Sequence, residues 1–357
     1  MRKLIPFLGE TVTHRFERRR GGPFLPFVAR GALKPRQYSI PAIFAGVSEG
    51  ESSPAQPSHL ISACFRLNTA IILRRYNKLY LETRVIALKD FYLANYHAHT
   101  PRCMHAFGTE REYVAQAVQA GFDTLGFADH SAWPYKSDFV ADMRMRVDQL
   151  PGYVAAVNAV RAEFAGQIKI YLGMECEGFP EYYGWLDEVR GQYGFDYFIL
   201  GNHYDTNDEV NHGYFGRCAG KTEMWRYMET TIAAMESGRF IYLAHPDLCL
   251  NQWNRFDADC EKICREICAC AQRLNMPLEY NLLGHRRQQR ARSRAQLGYC
   301  TPEFWHIAAE YRINAIIGVD AHHPEDMDCA GQYVEARAFL QGLGIPVLDR
   351  LESVEKA

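Results

Sequence analysis

The sequence predicts a parallel α/β barrel preceded by a mostly irregular N-terminal extension. Three observations predict it. Seven short apolar runs lie between residues 91 and 322, and each closes on His, Asp, Glu or Asn. Helix start and stop signals separate these runs. The repeating part spans about 265 residues, close to the roughly 250 residues usual for such barrels.

The runs are rich in Ile, Tyr, Phe, Leu and Val, as buried strands are. They are Phe91 to His99, Thr124 to His130, Ile168 to Glu175, Phe195 to His203, Phe240 to His245, Leu278 to Asn281, and Ala315 to His322. Between them, Thr109-Glu-Arg-Glu112 forms a capping box that opens a helix ending at Gly121. A second helix is expected from Pro151 to Ala165, a third after Pro180, a fourth from Thr222 to Gly238, and a fifth from Asp257 to Asn275. Thr301 followed by Pro302 opens a sixth, and a seventh is expected from Pro324 to Leu343. Strand–helix units in series imply parallel strands with right-handed crossovers. A doubly wound open sheet is the alternative. It gathers its chemistry at one switch point and leaves unexplained why nearly every strand ends in a ligand-type residue.

Residues 1–88 read differently. Arg18-Arg19-Arg20, scattered prolines and the polar stretch Ser48 to Ser58 carry no sustained periodicity. The first 90 residues hold a net charge of +9 and the remainder −11, which together give the overall −2. The extension reads as upstream sequence translated from a misplaced start, or as a genuine flexible segment; Arg-rich leaders can also be transit peptides. The near-neutral balance gives no pull toward nucleic acid or a membrane surface. Eleven cysteines without a secretory leader suit reduced thiols in a cytoplasm, and no stretch has the 18 or so apolar residues of a membrane span. The expected domains are therefore an extension over 1–88 and a catalytic barrel over 89–350.

Chemistry concentrates at the strand ends. His97 and His99 stand two apart, so a strand puts both imidazoles on one face. His105 follows in the next loop, and His130, His203 and His245 each close an apolar run. Asp320 and His322 repeat the spacing of the first pair on the last strand. Glu175 ends so apolar a run that burial needs a compensating cation, and its two oxygens suit it to bridge two metals. Asp129 is expected to orient the His130 ring. Seven of the 13 histidines belong to these motifs, and imidazole with carboxylate is a donor set for divalent transition metals. Cys260, Cys264, Cys268 and Cys270 recur at helical spacing and read as a packed apolar face rather than a cluster site. Cys103, in the His-rich loop, either packs or approaches a metal.

In this order the motifs resemble the phosphoesterases of the polymerase and histidinol phosphatase (PHP) family, most closely its histidinol-phosphatase branch. They are His97-Ala-His99-Thr-Pro-Arg-Cys103-Met-His105, Phe127-Ala-Asp-His130, Arg144 within Met-Arg-Met, Leu172-Gly-Met-Glu175, Gly201-Asn-His203, Ala244-His245-Pro246, Glu279-Tyr-Asn281-x-x-Gly284 and Gly318-Val-Asp320-Ala-His322. The resemblance covers residues 90 to 348 or so. It implies a distorted seven-stranded (β/α)7 barrel and two to three divalent ions, Zn, Mn or Fe. It assigns His97, His99, Glu175 and Asp320 to the first metal, Glu175, His203 and His245 to the second, and His105, His130 and His322 to the third. Glu175, Asp320 and His322 then stand at the reacting centre.

The implied activity is hydrolysis of a phosphate monoester, L-histidinol phosphate first, by a water whose pKa the metals lower. The implied partner is thus a small-molecule phosphate ester. Arg144 and either Arg286 or Arg287 could clamp the phosphate, while Glu177 or Trp133 could face a cationic end of the substrate. Leu282-Leu283 is bulkier than the small polar residues usual after the motif asparagine, which bears on substrate identity. Another phosphate ester, and a non-catalytic metal-binding module, are the competing readings.

Overall fold

The computed structural model describes residues 93–210 and 213–355, so the expected extension over 1–88 lies outside the described residues. Strand and helix alternate as the periodicity predicts. The order is β1 (Ala94–Asn95), α1 (Glu110–Ala120), β2 (Thr124–His130), α2 (Leu150–Glu163), β3 (Lys169–Cys176), α3 (Tyr183–Tyr193), β4 (Tyr197–Leu200), α4 (Lys221–Glu236), α5 (Ala258–Leu274), β5 (Leu278–Asn281), α6 (Leu282–Arg292), α7 (Pro302–Ala308), β6 (Ala315–Gly318) and α8 (Ala330–Gly342).

Local chemistry explains the boundaries. At α1 the Thr109 side chain accepts from the Glu112 N–H, and the Glu112 carboxylate accepts from the Thr109 N–H, which satisfies two otherwise orphaned donors. Gly121 then ends the helix in the left-handed region at φ 87°. Asp257 caps α5, and Asn275 closes it at φ 49°. Between those caps Cys260, Ile263, Cys264, Ile267, Cys268 and Ala271 are all buried on one face. The thiols therefore pack in the core, as their spacing predicts.

All strand pairs are parallel. One sheet runs β1-β2-β3-β4 and a second pairs β5 with β6. Single parallel bridges continue the curl. Leu243 pairs with Leu200 on one side and Leu278 on the other, and Ala98 pairs with Ala321. The result is an α/β fold with a curled parallel sheet, with Leu125, Phe127, Leu172, Leu200 and Ile317 inside the main core.

Two expectations change here. The run Phe240 to His245 forms no strand; only Leu243 bridges. Gly238 at φ 71° before the run and His245 at φ 29° at its end bend the chain out of the extended region, so too few residues remain for a ladder. The segment after Asn281 is a helix, α6, which the apolar pattern misses. Beyond Leu282 at its start, its buried positions Gly284, Gln288 and Ala291 have helical spacing but are not large and apolar, and its start is capped by Asn281 Oδ1 accepting from the Gly284 N–H at 2.8 Å. No helix among the described residues is long and apolar enough to cross a membrane.

Candidate metal centre

The parallel sheet brings all the strand ends to one rim, and the register does the fine placement. In the β2–β3 ladder His130 pairs with Glu175. The last bridge, Ala98 to Ala321, sets the His97–His99 pair beside Asp320 and His322.

Glu175 stands at the centre, 1% exposed. Its Oε2 lies 3.3 Å from His97 Nε2, 3.5 Å from His99 Nε2 and 3.1 Å from His130 Nδ1. Its Oε1 lies 2.8 Å from His245 Nε2 and 3.5 Å from His203 Nε2. The two oxygens thus face two different sets of imidazoles, as a bridging carboxylate must. Gly201 makes this possible, because a Cβ there would collide with Glu175 Oε1. Asp320 Oδ1 lies 3.2 Å from His99 Nε2 and 3.4 Å from His322 Nδ1. His245 and Asp320 both have positive φ, 29° and 51°. Non-glycine residues hold such conformations only where their surroundings enforce them, often at functional sites.

Buried carboxylates orient the innermost rings. His97 Nδ1 is 2.8 Å from Glu279 Oε1, and His203 Nδ1 is 2.9 Å from Glu177 Oε1. A carboxylate only accepts, so each Nδ1 carries the proton and each Nε2 turns a lone pair inward. Glu279 Oε2 also accepts from the His245 N–H at 3.1 Å and from Asn281 Nδ2 at 2.8 Å, and Asn281 Nδ2 reaches Asp320 Oδ2 at 3.1 Å. A Cβ on Gly318 would strike Glu279 Oε1. Glu279 therefore ties His97, His245 and Asp320 together. The sequence places Glu279 in its run and in the family motif Glu279-Tyr-Asn281-x-x-Gly284, with no role at the site. The available signal was a carboxylate buried in an otherwise apolar strand.

Electrostatics agree with a cation site. Burial pushes the Glu175 carboxyl up, but the imidazoles of His97, His203 and His130 outweigh it and hold the group well below the usual carboxylate range. Asp320 behaves alike, through burial opposed by His97 and His99. For His97, burial lowers the pKa, yet Glu279, Asp320 and Glu175 raise it well above the ordinary value. Burial dominates at His130 and drives it well below. His97 Nε2, His99 Nε2 and His130 Nδ1 are buried without a hydrogen-bond partner. Buried polar atoms left without a partner are rare and call for an explanation, and an ion among them is one. Ligating atoms come within 4.8 Å of one another in several groups: His97–His99–Asp320, His130–Glu175–His203, His99–His130–His322 and Cys103–His105–His322.

All nine expected donors meet in this cluster, and seven of them line a cavity of about 190 Å³ together with Tyr214, Arg287 and Tyr299. The profile of the PHP domain matches residues 95–283. The chain belongs to the PHP family. A Deinococcus radiodurans protein named "Probable histidinol-phosphatase" is 33% identical over 241 residues, covering 66% of this chain and 88% of that protein. The Bacillus subtilis histidinol-phosphatase is 28% identical over 118 residues, 31% of this chain and 44% of that protein. Among solved structures, the Lactococcus lactis histidinol phosphate phosphatase, complexed with zinc, L-histidinol and phosphate, superposes with a TM-score of 0.55. It is 18% identical and covers 72% of this chain and 96% of that one, a likeness of fold.

Within this PHP domain several expected roles move. Asp129 supports His99 rather than the His130 ring. Its Oδ1 lies 3.6 Å from His99 Nδ1, its Oδ2 accepts from Thr100 Oγ1 and from the Thr100 N–H, and it meets His130 only through that residue's backbone N–H. The strand alternation explains this, since Asp129 and His130 point to opposite faces. Arg144 and Glu177, expected at the substrate, form a buried network behind His203. Arg144 Nη2 is 3.1 Å from Glu177 Oε1, and Nε is 2.8 Å from Asp208 Oδ2. Trp133 stacks on Tyr182 at 5.3 Å and meets Phe179 at a tilt, inside the core and off the cavity wall. Arg286 turns to Asp326 at 3.4 Å, while Arg287, one residue on along α6, lines the cavity.

Proposed function

We propose that this chain is a metal-dependent phosphate monoester hydrolase that converts L-histidinol phosphate and water to L-histidinol and phosphate, in the cytoplasm. The observation that carries this reading is Glu175, whose two oxygens face separate imidazole sets in a PHP chain that also aligns with proteins named for that activity. We assign His97, His99, Glu175 and Asp320 to one ion, and Glu175, His203 and His245 to a second. His105, His130 and His322 go to a third. Nitrogen and oxygen donors of this kind suit Zn, Mn or Fe. Such ions, when bound, supply Lewis acidity toward phosphoryl oxygens and lower the pKa of a coordinated water.

The chain's own part is placement and charge. Glu279 and Glu177 fix the tautomers of His97 and His203. Arg287, at the cavity wall, pairs with a phosphate oxygen. Leu248, Leu283 and Met143 give the cavity an apolar side for the organic part of the ester. The Leu283 side chain fills space that a small polar residue usually leaves open, so the substrate's organic end is compact. We further read the curled sheet as the distorted seven-stranded barrel of the family, over residues 89–350, with the segment around Leu243 in the place of its weakest strand.

The test is metal analysis of the purified protein together with phosphate release from a panel of esters that includes L-histidinol phosphate, a nucleoside monophosphate and a sugar phosphate. Preferred release from L-histidinol phosphate supports the reading. Preference for another ester transfers the chemistry to that substrate. No release from any ester by metal-loaded protein leaves a binding module instead.

A further inference from the structure

The outer edge of the cluster contains a thiol, Cys103, that is not one of the nine expected donors. His105 and His322 face each other there, with Nε2 to Nε2 at 3.0 Å. His105 Nδ1 lies 2.7 Å from the carbonyl oxygen of Cys103, and His322 Nδ1 lies 3.1 Å from that of Asp320. A carbonyl oxygen can only accept, so both Nδ1 atoms carry protons and both Nε2 atoms present bare lone pairs. Two lone pairs at hydrogen-bond distance repel unless a cation, either a shared proton or a metal ion, sits between them. Cys103 Sγ lies within 4.8 Å of one ring nitrogen of each imidazole. The thiol is fully buried at the end of the short turn Pro101–Cys103, and Met104 at φ 67° then swings the chain so that His105 returns over it. Beneath, His99 is fully buried and neither ring nitrogen is hydrogen-bonded, with Asp129 Oδ1 3.6 Å from Nδ1 and Asp320 Oδ1 3.2 Å from Nε2.

Resting on the metal-hydrolase reading above, we propose that Cys103 is a metal ligand, donating its sulfur as a thiolate to the ion held by His105 and His322. On binding, the S–H bond breaks, its proton passes to solvent, and the sulfur lone pair forms the bond to the metal. A sulfur donor makes this outer position thiophilic. It favours Zn and Co over Mn and Mg, whereas the inner donors, all nitrogen and oxygen, discriminate less. The chain thus sorts metals by position.

The experiment uses the full chain loaded with Co²⁺ or with Zn²⁺. The Co²⁺ protein should show a near-ultraviolet sulfur-to-cobalt charge-transfer absorption, and Zn X-ray absorption should show a sulfur scatterer at about 2.3 Å. Cys103→Ser should abolish both signals. It should weaken retention of the outermost Zn²⁺ by at least about 10-fold, the lower end of what a perturbed ligand environment costs, with a smaller change for Mn²⁺. The X-ray measurement on the unsubstituted protein needs no variant, so it decides even if Cys103→Ser folds poorly. Loaded protein without a sulfur signal, or a signal that survives Cys103→Ser, overturns the assignment while leaving the metal centre in place. Failure to take up any metal overturns the metal-hydrolase reading and this inference with it.

Discussion

The inner and outer donors of this site are held by different chemistry. His97 and His203, at the inside, lean on the buried carboxylates Glu279 and Glu177 at 2.8 and 2.9 Å. His105 and His322, at the mouth, lean on the backbone carbonyls of Cys103 and Asp320. A carboxylate behind an imidazole raises its basicity as a ligand and locks its ring; a carbonyl locks the ring but adds no charge. The inner ions should therefore be the tighter ones, and the outer ion the exchangeable one. The carboxylates carry a structural demand in return. Each needs its own compensation, which Arg144 supplies to Glu177, and Asn281 with the His245 N–H supplies to Glu279.

The sharpest way to break this comparison is to remove the group common to both sets. Glu175→Ala deletes the one carboxylate, among the described residues, whose oxygens face His97, His99 and His130 on one side and His203 and His245 on the other. We expect phosphate release to fall by about 10³-fold or more, the upper scale for losing one preorganised electrostatic element, with metal content lowered at the inner positions. An unchanged metal count would show that the two sets do not share a ligand.

Next in size is Arg144→Ala. The guanidinium is fully buried between Glu177 and Asp208. Its removal leaves buried negative charge uncompensated, which costs about 3–5 kcal/mol. Chemical denaturation of the metal-free protein should report that loss. A change below about 1 kcal/mol would mean that solvent reaches the network, and that Glu177 orients His203 without help.

Much of this arrangement was legible in the sequence, and for a physical reason. Polar donors at the ends of apolar strands cannot be hidden by periodicity, so His97, His99, His130, Glu175, His203, His245, Asp320 and His322 stood out. The capping chemistry of α1, α5 and α7 was equally local. What failed depended on side-chain direction or on weak patterns. Asp129 faces away from His130, the residue it precedes, so its carboxylate lies beside the His99 ring instead. After Leu282, the α6 helix buries Gly284, Gln288 and Ala291, a face too small and polar to register as amphipathic. That missed helix also decides between Arg286 and Arg287, because a rotation of about 100° per residue sends neighbours to different surroundings. The Phe240 to His245 run looked like a strand because apolar content does not reveal the positive φ at His245.

Glu279→Gln tests the inner side of the comparison alone. The amide keeps the shape but removes the charge behind His97, and we expect inner metal affinity to drop by about 10–100-fold. The same change should alter the pH dependence. Glu279, with Asp320 and Glu175, raises the His97 pKa against the opposing effect of burial. Protons therefore compete with metal for this nitrogen from above the ordinary histidine range, near pH 6.5, and metal retention in the unsubstituted protein should fall as pH is lowered. With Glu279→Gln, less charge supports the protonated ring, so the fall should begin at lower pH. Titrating bound metal across a pH series, with free metal held at the same multiple of each protein's high-pH Kd, checks the direction, and a midpoint that then moves upward would contradict the role given to Glu279.

The smallest effect is expected on the outer side, at Arg287. Its side chain lines the cavity on α6, near Tyr214 and Tyr299 and across from the inner donors. It touches no expected metal ligand by hydrogen bond among the described contacts, so its contribution should be confined to holding the phosphate. A charge-assisted hydrogen bond contributes about 1.5–3 kcal/mol, and partial exposure places Arg287 at the low end, about 10-fold. Arg287→Ala should raise KM by about that factor, leave bound metal unchanged and change kcat little. The Arg286→Ala control should change KM less, because Arg286 Nη2 is directed to Asp326 at 3.4 Å and to the Val319 carbonyl at 3.4 Å rather than to the cavity. If Arg286→Ala instead carries the larger effect, the α6 rotation described here is wrong by one residue, and the outer wall of the site has to be redrawn around it.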